Sequence, residues 1–82
     1  MFRKLVNATE IEIDGTAYAV RYYELTTLRG GRRYSCEVLL GAADRIILDD
    51  DSMSSLESKV ARLAPATVYS RLLAARLSIV AA

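Results

Sequence analysis

The stretch Thr9-Glu10-Ile11-Glu12-Ile13-Asp14-Gly15 constrains this chain more than any other. Polar and apolar residues alternate through Ile13, which is the period of a strand with one covered face. Asp14-Gly15 then supplies the pair that best tolerates positive φ at both central positions of a two-residue hairpin turn. Thr16 to Thr26, rich in Tyr and Val, reads as a long second strand. Leu28-Arg29-Gly30-Gly31-Arg32 ends it, with two glycines to turn the chain. Arg33 to Leu40 makes a third strand, Gly41 to Asp44 a short connection, and Arg45 to Asp49 a fourth strand.

Asp49-Asp50-Asp51-Ser52 leads into a helical pattern, in which Met53, Leu56, Val60 and Leu63 share one stripe. Ser54 and Glu57 have the spacing of a capping box, with Asp51 and Ser52 as alternative caps. Pro65 fits best in the first turn of a second helical segment, so a break or kink is expected at Ala64. Val68, Leu72, Ala75 and Ile79 carry the spacing onward. The expected fold is one α+β domain over 1–82. It has a four-stranded antiparallel β-meander within 9–49, followed by a C-terminal helix or kinked helix pair within 52–80 packed on one face (ββββα).

Strand parity assigns the faces. With a two-residue first loop and odd-length later loops, Ile11, Ile13, Tyr18, Val20, Tyr22, Tyr34, Cys36, Val38, Leu40, Ile46 and Leu48 share one apolar face for the helix to cover. The opposite face carries Glu10, Glu12, Arg21, Arg33, Glu37, Arg45 and Asp49 around Tyr23, Leu25, Leu39 and Ile47. That mixture is too apolar for an ordinary solvent face and too charged for a core, and it suits an interface with an apolar centre and a charged rim. Tyr23, Leu25, Leu39 and Ile47 are therefore the candidate dimer or partner interface. A homodimer is the default expectation, since a self-complementary patch closes two-fold and a lone 82-residue core is marginal. The apolar excess of Leu72-Leu73 and of Leu77 to Ala82 reads as a second contribution to that contact.

Missing residue types narrow the catalytic chemistry. Without His there is no Ser-His or Cys-His nucleophile pair and no imidazole ligand, and one Cys makes neither a disulfide nor a Cys-rich zinc site. Glu10 and Glu12 share a face but have no nucleophile or metal beside them, so no catalytic site, metal or cofactor is expected. Asp49-Asp50-Asp51 reads as capping and dipole interaction at a helix start rather than a cation site. Cys36 reads as a small core hydrophobe. The lone thiol and the lack of an apolar leader or spanning run point to the cytoplasm, with no membrane contact.

One basic cluster stands out. Arg29, Arg32 and Arg33 beside Tyr34 form a candidate phosphate-binding hairpin, on which Tyr34 or Tyr23 could stack a base. Four strands followed by a helix also resembles the repeat unit of PUR-type and whirly single-stranded nucleic-acid-binding folds, in which two units pack together. The resemblance is one of topology, spans roughly positions 9–63 and carries over no binding residue. The expected role is thus a small non-catalytic protein-interaction or assembly module, homodimeric or bound to another protein, with single-stranded nucleic-acid binding as the alternative. An overall charge of +1, with 11 basic and 10 acidic side chains, favours the first.

Overall fold

The computed structural model describes residues 2–81, with side chains described through Leu77. Four strands, β1 (Phe2–Ile13), β2 (Thr16–Thr26), β3 (Arg32–Gly41) and β4 (Asp44–Asp50), form one antiparallel sheet in the order β1-β2-β3-β4, and one helix, α1 (Met53–Ala81), follows. This is the expected ββββα architecture. Asp14 and Gly15 take φ of 50° and 79°, both in the left-handed region that a two-residue hairpin of right-twisted strands requires.

The three hairpins preserve the expected parity by different devices. β2 and β3 close at Thr26–Arg32 around a five-residue loop. It is held by Thr27 N–H donating to the Gly31 carbonyl (2.9 Å) and Gly31 N–H donating to Thr27 Oγ1 (3.0 Å). Between β3 and β4 only Ala42 and Ala43 intervene, and neither has positive φ. A bulge at Leu40, between the pairs Leu39–Arg45 and Gly41–Asp44, absorbs the mismatch and restores the face assignment.

Two boundaries are corrected. The sheet begins at Phe2 rather than Thr9, because the long β2 offers ladder partners all the way to Thr26 and the N-terminal residues take them. A bulge at Val6, between Leu5–Tyr23 and Asn7–Tyr22, interrupts the alternation that would have announced this extension. The helical region is one continuous helix, the first of the two expected forms, and Pro65 lies inside it with no break at Ala64. Proline removes the N–H that the Ala61 carbonyl would accept. Ala61 is exposed, so water can take that role. The cap is Ser52 rather than Ser54: its Oγ accepts from Ser55 N–H (3.2 Å) and its carbonyl from Leu56 N–H (3.0 Å).

The core lies between α1 and the β3–β4 side of the sheet. Val20, Tyr22, Cys36, Val38 and Ile46 from the sheet meet Leu56, Val60 and Ala64 from the helix. Ala64, not Leu63, holds the buried third-turn position, which lets helix and sheet approach closely. Ile11, Ile13 and Tyr18 are only half-buried beside this core. A 29-residue helix runs about 43 Å, whereas the seven residues of β4 span about 24 Å, so roughly 20 Å of helix runs past β4. The molecule is accordingly 51 Å long, and its radius of gyration of 14.8 Å exceeds the ~12 Å of a compact domain this size.

Candidate association surfaces

On the uncovered sheet face, β2, β3 and β4 bring three charges into a row. Glu37 on β3 is buried, with its carboxylate accepting from Arg45 Nη1 at 2.9 Å and lying 3.7 Å from Arg21 Nη1. Arg21 sits directly across from Glu37, while Arg45 reaches it diagonally past Ile47. The two guanidiniums hold the carboxylate while both arginine side chains stay about half exposed. Tyr23 is also buried: the Val6 bulge turns Arg3 and Leu5 onto this face, and the Arg3 guanidinium stacks 4.0 Å from the Tyr23 ring centroid.

Of the four residues expected at an interface, Tyr23 is therefore already covered within the chain, and Leu25 and Leu39 are half-buried. Ile47 stands 59% exposed. All four share the face that parity assigned them, but guanidiniums and neighbouring strands finish most of it. The role of Arg3 escaped sequence reasoning because the bulge that places it is invisible to alternation.

The basic hairpin is dispersed rather than focused. Arg33 pairs with Asp51 and with Asp49 (3.4 Å), and Arg32 with Glu24 at 3.7 Å. Arg29 has no ion pair among the described residues. Tyr34 points to the opposite face from Arg33 and packs against the core. The structure thus separates Tyr34 from Arg33, whereas Arg32, paired with Glu24 directly across from Tyr34, stays on the aromatic's face. The three aspartates diverge as well: Asp49 and Asp51 hold Arg33, while Asp50 pairs with Lys59 at 3.3 Å. The backbone N–H of Asp51, donating at 2.7 Å, holds the Asp50 carboxyl below its ordinary range, helped by Ser55 and Lys59. Among the described residues no group of three or more potential ligands could hold a metal ion. Cys36 is fully buried, and desolvation pushes its thiol up to about 11 and the adjoining Tyr22 phenol up to about 12.

The least finished surface lies elsewhere. From Tyr69 onward every described side chain of α1 is exposed, including Tyr69 (62%), Leu72, Leu73 and Leu77 (67%). The expected contributions of Ile79 and Val80 lie outside the described side chains. Where the helix leaves the sheet, Arg71 Nε pairs with Asp44 at 3.1 Å. Beside that pair a cleft of about 140 Å³ opens between Tyr18, Leu40, Val68 and Leu72. The cleft adjoins the half-buried Ile11 and Ile13, so the apolar surface runs from helix to sheet. No helix among the described residues is long and apolar enough to cross a membrane. No family model matches the chain, and no curated protein or solved structure matches it either.

Proposed function

We propose that this protein is a non-catalytic association module that works as a homodimer. One observation carries the reading: between three and four turns of α1, by helix pitch, run past β4, and Tyr69, Leu72, Leu73 and Leu77 are exposed there in a single copy. Soluble monomers rarely leave a contiguous apolar surface of this kind without a partner. A second copy suits it because the chain also carries a half-covered apolar strip, Ile11, Ile13 and Tyr18, giving two complementary halves of one contact.

Nucleic-acid binding has the free Arg29 and the ββββα order in its favour. Against it stand the local pairing of Arg32 and Arg33 and the Arg3 lid on Tyr23. Sedimentation equilibrium tests the dimer. The chain is expected at twice its 9.0 kDa, and a Leu73→Glu/Leu77→Glu variant at 9.0 kDa with an unchanged circular dichroism spectrum. Wild-type protein at 9.0 kDa up to its solubility limit would overturn the reading.

A further inference from the structure

We propose that the dimer forms by reciprocal helix docking, each copy laying the part of α1 that runs past β4 across the half-covered β1 edge of the other copy's core face, over Ile11, Ile13 and Tyr18. The inference rests on the homodimer reading and names the surface that serves it. Its first support is width. Four strands at ~4.8 Å spacing make a face about 19 Å wide, room for two helices packed 8–10 Å apart. The molecule supplies one, over β3 and β4, and the Ile11, Ile13 and Tyr18 strip is left half-open where a second belongs.

Length gives the second support. The ~20 Å overhang is close to the span of the helix half that covers its own sheet, so two copies crossing where each helix leaves its sheet can each cover the other's vacant half. That crossing point is marked by the Arg71–Asp44 pair and by the adjoining cleft, which approaches the ~150 Å³ of an apolar cavity able to hold a benzene ring. Leu73 and Tyr69 of the second copy are the apolar side chains placed to fill it.

Area is the third. Half the lateral surface of a helix ~20 Å long and ~11 Å across is roughly 350 Å². Two such contacts, each with two sides, bury about 1,400 Å², within the range of stable interfaces. A two-fold axis closes the arrangement, leaving no repeat of the contact to propagate into fibres.

Crosslinking between chains tests this geometry. A Thr9→Cys variant is mixed with a Leu77→Cys variant, joined by a short bis-maleimide, and the linked peptides are identified by mass spectrometry. Thr9 faces the vacant half-face from β1, Glu10 faces the opposite side, and buried Cys36 stays out of the reaction. The expected result is a species of twice 9.0 kDa with the Thr9→Cys and Leu77→Cys peptides joined, at least tenfold above a Glu10→Cys and Leu77→Cys mixture. A dimer by sedimentation that gives no such excess overturns the docking mode while leaving the homodimer in place. A monomer by sedimentation overturns both.

Discussion

Replacing Leu56 by alanine should remove most of what fastens α1 to the sheet. The helix is held by Leu56, Val60, Ala64 and Val68, and Leu56 is the largest of the four and 0% exposed. Truncating a fully enclosed leucine forfeits its transfer free energy and leaves a cavity, together about 3–5 kcal/mol. An 82-residue domain at ~0.05–0.15 kcal/mol per residue has about 4–12 kcal/mol in all, so the loss is a large fraction of it. At ~4–8 °C per kcal/mol, the melting temperature should fall by ~12 °C or more. The assay is urea unfolding followed by circular dichroism at several protein concentrations, with Leu77→Ala as the matched control. The control side chain is solvent-exposed in one copy, so its intrinsic effect should stay within about 0.5 kcal/mol. Any larger effect must grow as the protein is concentrated. A Leu56→Ala loss below about 1 kcal/mol at an unchanged urea slope would refute the packing, because no enclosed leucine is removed so cheaply.

Three further outcomes follow from the same geometry. Burial raises the Cys36 thiol to about 11 and the Tyr22 phenol to about 12, so the unfolded chain releases these protons first as pH rises. Their stability contribution is complete below the unfolded values of about 8.5 and 10 and is lost as pH climbs toward the folded ones, at ~1.4 kcal/mol for each tenfold difference in acidity between the folded and unfolded chain. Urea midpoints should therefore fall from about pH 9 upward, and a Cys36→Ala variant should show a shallower fall than wild type. Arg3→Ala should cost about 0.5–1 kcal/mol and expose the Tyr23 ring, read as increased solvent quenching of tyrosine fluorescence; unchanged quenching would mean that Arg3 does not cover the ring. Fluorescence anisotropy of labelled single-stranded DNA and RNA should show a salt slope no steeper than about −1, since one hairpin arginine is unpaired. Micromolar binding with a steeper slope, abolished by Arg29/Arg32/Arg33→Ala, would move nucleic-acid binding to first place.

The sheet was legible in the sequence because strand parity is a strict rule. Asp14-Gly15 set the β1–β2 register, and the faces of β3 and β4 rested on odd-length later loops: the five-residue β2–β3 loop is one, while the two-residue β3–β4 turn reaches the same parity through a Leu40 bulge. Phe2 to Asn7 was not legible as a strand, because a one-residue bulge at Val6 turns a regular alternation into an irregular string. Pro65 misled for a related reason. Proline reports the loss of one hydrogen bond, and whether a helix ends there depends on whether the freed carbonyl faces water, which is a tertiary fact. The candidate surface shifted with these elements. Tyr23 belonged to the expected interface only as long as nothing within the chain could cover it, and Arg3 does so from a strand that alternation did not reveal.

The two faces of the sheet solve opposite problems, and this places the apolar surplus of the chain. On the open face, the Arg21 and Arg45 guanidiniums hold Glu37 and the Arg3 guanidinium covers the Tyr23 ring, while Leu5 and Ile47 stay exposed as separate side chains. On the other face no comparable lid exists over Ile11, Ile13 and Tyr18, and every described side chain of α1 beyond Val68 is exposed. With 52% hydrophobic residues, apolar side chains also stand exposed at Phe2, Leu28 and Ile47, but the largest exposed group shares one helix segment, Tyr69, Leu72, Leu73 and Leu77. A surface charge network cannot substitute there, because exposed ion pairs contribute only about 0–1 kcal/mol each, whereas each large apolar side chain taken out of water contributes about 1.5–3 kcal/mol. Covering that group with a second copy is the arrangement that uses the helix segment and the half-covered strip together.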